Sequence, residues 1–399
     1  MQSASEGSGS GLAAHWTLDP AVTFLNHGSF GACPRAVLEA QSELRAQLEA
    51  EPVRFFVREC MPLLDAAREE LARFLGADPE RLAFVPNATS GVNAVLASRR
   101  FESGDELLVT DHAYNACRNA LEHWGGRDGA VVRVARVPFP LEDPEQVVRA
   151  VLDEVGPRTA LVMLDHVTSA TGLVLPLERL VEELHGRGID VLVDGAHAPG
   201  MVPLDLEQLG VAYYTGNCHK WICAPKGAAF LHVRRDKLDE VRPAIISHGA
   251  NSPTEQRSRF RNEFDWIGTL DPTPWLCIPV ALRVMADLVP GGWGEVRSRN
   301  REQVLAARDL LASTLGIGHP APDSMLGSLA TLPLPDGPPG PMQPLYTDPL
   351  QDRLLEEFGI EVPIGPWPAP PRRNLRVSAQ LYNSPKDYER LAEALTQLT

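Results

Sequence analysis

Residues 215–230 read TGNCHKWICAPKGAAF, and they place Lys220 between His219 and Trp221, after one β-rich run (VAYYTGN) and before another (AAFLHV). Of the chain's 37 basic residues only four are lysine, at positions 220, 226, 237 and 386. Any chemistry that needs an amine therefore has four candidates. Lysine differs from arginine in that its amine can be desolvated, lose its proton and act as nucleophile or base. The ordinary role of a lysine is a solvated surface charge, so the residues around Lys220 have to decide.

Working outward, apolar runs alternate with helical patterns. LAFVPN precedes a helix from Ala88; ELLVTD a helix near 115–123; AVVRVARV a helix near 144–154; TALVMLDH a helix near 176–187; then IDVLVDGAH leads to AYYTGN and AAFLHV. Short β-rich runs separated by helices of ten or more residues predict βαβ crossovers and a mostly parallel sheet of the seven-stranded type, with AAFLHV as a candidate antiparallel member. Two amphipathic helices, about 34–50 and 61–75, precede this α/β region. From about 275 the pattern becomes a long helix, a Pro/Gly-rich surface connection (PDGPPGPMQP, 335–344) and a terminal unit with LRVSAQLYN and a helix after Pro385. The expected organisation is a tail over 1–14, a large domain over 20–285 and a smaller α+β domain over 286–399, with 15–19 packed on the smaller one.

At 399 residues the chain is long enough for two domains. Its net charge of −15 argues against nucleic acid or an anionic membrane, which need a basic face. The start, MQSASEGSGSGLAA, has neither the basic residues nor the apolar core of a signal peptide, and no run of about 18 apolar residues predicts a membrane span. Six scattered cysteines (33, 60, 117, 218, 223, 277) suggest reduced thiols in a cytoplasm. Cys218, His219 and Cys223 lack a second group at ligand spacing, so no metal site is expected.

In doubly wound sheets ligands sit beyond the carboxyl ends of the strands, and three such ends carry chemistry. NATSGVN (87–93) follows LAFVP and opens a helix, leaving N–H groups free to hold a phosphate; an ordinary N-cap reads the same way. No GxGxxG or GxxxxGK occurs, so dinucleotide and P-loop readings lack support. VLVDGAHAPG puts Asp194 directly after three aliphatics, and Lys220 lies 26 residues further on. An amine, a buried carboxylate and a phosphate cradle on neighbouring strand ends are the requirements of pyridoxal 5′-phosphate: lysine bonds its aldehyde, aspartate keeps its ring nitrogen protonated, and the helix N-terminus takes its phosphate.

SGVN after NAT, DHAYNA, HVTSATG, VDGAHA, GNCHKW and LRVSAQLYN occur in this order, and together they resemble the class V aminotransferase group of fold type I pyridoxal-phosphate enzymes. LNHGSFGACP, HVTS and GNCHKWICAPKGAAFL most resemble its isopenicillin N epimerase-like subgroup, over residues from about 20 to the C-terminus. The resemblance implies Lys220 as the residue that carries the cofactor, Asp194 as the pyridinium partner, and His197 beside the ring's phenolic oxygen. His112 in TDHAYN matches the histidine that stacks on the ring, with Tyr114 as its competitor. Ala88 and Thr89 match the phosphate turn, with His219 a further phosphate ligand. Gly268 and Thr269 in FDWIGTLDP resemble a pair reaching the phosphate from a neighbouring subunit, which implies a homodimer with shared active sites. Arg376 resembles the arginine that holds a substrate α-carboxylate through its planar fork; Asn26 and Tyr114 fall on the substrate side.

Such machinery, with an amino-acid-type small molecule as substrate, serves epimerisation at Cα, β-elimination by a C–S lyase, or nitrogen transfer. Epimerisation needs a second proton path opposite Lys220, for which His112 and Tyr114 are candidates. Cysteine desulfurases of this group carry a nucleophilic cysteine before the terminal arginine, where this chain reads IEVPIGPWPAPPRRNLRVS, and no cysteine follows Cys277. Epimerase-like chemistry is the expectation, C–S lyase the alternative, and a non-catalytic binding protein on the same fold a third reading.

Overall fold

In the computed structural model, which describes residues 10–340 and 348–398, a two-residue strand β1 (Thr23–Phe24) precedes a seven-stranded sheet. That sheet contains β2 (Leu82–Val85), β3 (Glu106–Thr110), β4 (Val131–Ala135), β5 (Thr159–Asp165), β6 (Asp190–Asp194), β7 (Tyr213–Asn217) and β8 (Ala229–Val233). Their spatial order is β2-β8-β7-β6-β5-β3-β4. β8 runs antiparallel to both its neighbours, and every other pairing is parallel.

The interior strands are continuous apolar runs because helices cover both faces of the sheet. Along β5 and β6, Leu161, Met163 and Leu192 join the core on one face, while Val162, Leu164, Val191 and Val193 join the core on the other. This strict alternation is the two-residue period of a strand. It also delivers Asp165 and Asp194 to the same carboxyl edge, where they are register partners on adjacent strands.

The second sheet is antiparallel, ordered β11-β12-β9, from β9 (Leu329–Leu334), β11 (Ile364–Pro366) and β12 (Arg373–Ser378). β10 (Ile360–Glu361) pairs in parallel with β1, so residues assigned from sequence to the larger unit join the C-terminal one. The tail expected through residue 14 is also shorter: Ser10 donates its N–H to the Tyr382 carbonyl at 3.0 Å, Ala13–His15 form one 3-10 turn, and Trp16 stands edge-on to Tyr382 at 5.1 Å. Residues 1–9, and 341–344 of the proline-rich connection, lie outside the described residues.

The long helix expected after 275 is two helical segments, Thr273–Asp287 and Gly292–Leu315, meeting at 70°. Pro290 lacks an amide donor, and Gly291 and Gly292 take φ of 102° and 61°, which ends one helix and redirects the chain. No single helix among the described residues is long and apolar enough to cross a membrane.

Candidate active site

A cavity of about 800 Å³ opens at the carboxyl edge of β5, β6 and β7, and its walls include Asp194, Lys220, His197, Thr89, His219 and Tyr114. Lys220 leaves β7 on a tight turn that is braced from both ends of the chain. Its carbonyl meets His27 Nε2 at 3.0 Å, and His27 Nδ1 in turn meets the Tyr382 hydroxyl at 2.9 Å. Gly31, at φ +71°, passes so close that a Cβ there would sit 2.2 Å from the His219 carbonyl oxygen.

The Lys220 amine is pushed down to about 7, by burial first and then by the Arg376 charge, while Asp194 opposes the shift. Its neighbour explains how the neutral form is held. Trp221 Nε1–H points at His197 Nδ1 at 3.4 Å, and His197 Nε2 lies 3.1 Å from Lys220 Nζ. If Nδ1 accepts, the proton of neutral imidazole sits on Nε2 and can only donate to an amine lone pair. Burial and the Lys220 charge hold His197 well below its usual range, which keeps the ring neutral.

Asp194 is buried, and its oxygens are each engaged: Oδ1 accepts from the Ala196 N–H at 3.0 Å and Oδ2 from the Cys117 thiol at 3.0 Å. Among the described residues no arginine, lysine or histidine forms an ion pair with it. A buried carboxylate without a cation is costly, and it fits a pyridinium nitrogen. Asp165, also on the cavity wall, accepts from the Tyr114 backbone N–H, and burial together with the Asp194 charge pushes its carboxyl well above the usual range. Burial and the Asp194 charge thus favour the neutral form of Asp165, since like charges that close do not both ionise readily.

The phosphate cradle is narrower than the sequence suggested. The helix Ala88–Ser98 is capped by Asn87, whose side chain accepts from Ser90 N–H at 2.9 Å, and the Ala88 N–H is already taken by Asn217 Oδ1 at 2.8 Å. Thr89 at the second position is left facing the cavity. His219 is tied by Nδ1 to the Ala228 carbonyl at 2.9 Å, and burial pushes it down to about 4.

His112 is not on the cavity wall. It is buried, with Nδ1 2.7 Å from Thr171 Oγ1 and Nε2 2.9 Å from the Val137 carbonyl, and its ring lies against Trp367. The aromatic that does face the cavity is Tyr114. Asn26 also stays behind the wall: its amide donates to Glu361 at 2.9 Å and its carbonyl accepts from Ser29, which lines the cavity. Arg376 is bound to the Ser169 carbonyl and, at 3.1 Å, to the Ser29 hydroxyl, both cavity residues. Burial pushes it down to about 10. Gly268 and Thr269 do not line the cavity of their own chain.

Sequence reasoning passed over Asp165, Cys117, Ser29, Ser169 and His27. Asp165 was within reach, since TALVMLD repeats the pattern of aliphatics then aspartate that singled out Asp194. His27, Ser29 and Ser169 lie in LNHGSFGACP and HVTS, stretches that carry the resemblance without assigning these residues a role, and Cys117 has no such signal.

The family profile described as "Aminotransferase class-V" matches residues 25–302. The chain belongs to the class V aminotransferase family. Among relatives, an isopenicillin N epimerase of Amycolatopsis lactamdurans is 41% identical over 397 residues, 96% of each chain. A putative L-cysteine desulfhydrase of Oryza sativa subsp. japonica is 31% identical, over 94% of this chain and 83% of its own. Among solved structures, a cystine C–S lyase in complex with cysteine persulfide superposes with a TM-score of 0.78 at 23% identity, over 94% of this chain and 97% of that one. The fold is thus that of fold type I enzymes, and this class V family member is a pyridoxal 5′-phosphate enzyme.

Proposed function

We propose that the protein is an isopenicillin N epimerase-like enzyme that inverts the Cα of an amino-acid-type substrate. The observation that carries this reading is the full-length similarity to such an epimerase; Lys220 and Asp194, facing one cavity, give it a chemical basis. The bound cofactor supplies an electron sink that weakens the Cα–H bond. Lys220 would hold the cofactor, and its neutral amine would take the Cα proton. Asp194 pairs with the ring nitrogen, with Cys117 and the Ala196 N–H orienting its carboxylate. His197, on the cavity wall, would hold the cofactor's phenolic oxygen. Thr89 and the Ala88 turn hold the phosphate, and His219 joins them when the phosphate charge raises its basicity. Arg376 holds the substrate carboxylate, with Ser29 and, through it, Asn26 setting the fork. Gly268 and Thr269 reach the site of a partner subunit in a homodimer located in the cytoplasm.

A β-elimination reading is favoured by one observation, the similarity to the desulfhydrase. A persulfide route of the desulfurase design has no nucleophile, because residues 360–378 contain no cysteine.

Holoenzyme incubated with isopenicillin N in deuterated water separates the readings. The expected product is intact, inverted at Cα and deuterated there, and Lys220→Ala loses at least ~10²-fold in rate. Release of pyruvate and ammonia from a sulfur amino acid, with no inversion, would assign the lyase chemistry instead.

A further inference from the structure

We propose that Tyr114 is the second catalytic acid–base, exchanging a proton with Cα on the face opposite Lys220; this rests on the epimerase reading. The sheet order sets the two groups apart. Lys220 follows β7, on one flank of the strand that ends in Asp194, whereas Tyr114 follows β3, beyond β5 on the other flank. Both side chains line the same cavity.

The backbone of Tyr114 is pinned while its phenol is left free. Its N–H donates to Asp165, and its carbonyl accepts from Cys117 and Arg118 N–H at 3.0 Å each as the next helix begins. The residue is 48% exposed, and among the described residues no group bonds its hydroxyl. Phe, Tyr and Trp in a core are normally covered, and a buried phenol normally finds a partner; this one has neither.

The other titratable groups of the cavity are committed. His197 is held between Trp221 and Lys220, His219 is tied to Ala228, Asp194 is doubly bonded, and Asp165 accepts from the Tyr114 backbone. Lys226 lies on the Lys220 side, close enough to His219 to lower its basicity. His112, the rival from sequence, has both ring nitrogens engaged behind the wall.

The proton balance closes. Neutral Lys220 takes the proton of one epimer's Cα–H, and the electron pair of that broken bond takes up the Tyr114 hydroxyl proton from the opposite face. The enzyme is left with an ammonium at 220 and a phenolate at 114, which is the form that runs the reverse reaction. Burial first, then Cys117 and Asp194, hold the Tyr114 phenol above its ordinary range while the Arg376 charge opposes them, so the hydroxyl waits protonated as the donor, and water returns its proton afterwards.

The test compares wild type with Tyr114→Phe as cofactor-loaded enzymes in deuterated water, with isopenicillin N and its Cα epimer as probes. Wild type exchanges and interconverts both. Tyr114→Phe, with its cofactor absorbance unchanged, is expected to lose inversion by at least ~10²-fold, while one epimer still exchanges its Cα hydrogen through Lys220 and the other does not. Inversion within a few-fold of wild type would overturn the assignment. Equal loss of exchange from both epimers would make Tyr114 a positioning residue instead. A wild-type enzyme that exchanges Cα–H without inverting it removes the epimerase reading itself, and this assignment with it.

Discussion

At Lys220 the decisive quantity is the protonation of one amine. With burial and Arg376 pushing it down to about 7, half the apo-protein carries a neutral, nucleophilic amine at that pH, whereas an ordinary lysine near ~10.4 is almost wholly protonated there. The rate at which apo-protein captures added pyridoxal 5′-phosphate should therefore rise about tenfold per pH unit below 7 and level off above it. A stopped-flow series from pH 5 to 9 checks this, and a rate still climbing tenfold per unit at pH 9 would contradict the shift. Of the residues the sequence singles out, Lys220, Asp194, His197, Thr89 and His219 line one cavity. The choice between His112 and Tyr114 was not legible, because both fall in the turn after β3, where the two-residue strand period has ended and nothing local says which side chain faces inward. Asp165 was missed although its strand has the Asp194 pattern, because two acids side by side make sense only once their strands are known to be neighbours.

At the scale of elements, the strands and helices of the α/β region were readable because each strand is buried on both faces and each helix separates two of them. The segments that brace the lysine turn were not, since their contacts span most of the chain: His27 and Tyr382 are 355 positions apart. Gly31 is the tightest of these contacts. Gly31→Ala combines a φ of +71° with a Cβ 2.2 Å from the His219 carbonyl oxygen, so it should cost ~1–3 kcal/mol and loosen cofactor retention. Gly126→Ala is the counterpart. It lies in the helix Asn115–Asp128, is exposed and has nothing within 4 Å of a new Cβ, so it should stabilise by up to ~1 kcal/mol. Thermal melts of the two holo-variants read both signs; equal shifts would show that the close approach at Gly31 is not what limits the turn.

For the whole molecule, the proposed homodimer makes a prediction that no single chain can satisfy. If Thr269 serves the partner's cavity, a mixed dimer of Lys220→Ala and Thr269→Asp chains holds one doubly defective site and one intact site. Refolding an equimolar mixture should then recover activity well above either parent, towards a quarter of wild type in a random assortment where half the dimers are mixed and each has one good site. No gain over the parents would place Thr269 outside the shared site. The bracing of Lys220 has a separate consequence in the order of biosynthesis. The clamp on its carbonyl needs His27 and Tyr382, which is made 355 residues later. The last strand of the central sheet ends at Val233, so the emerging chain can form that sheet before Tyr382 is made, and the clamp on the lysine turn is expected to close after the sheet.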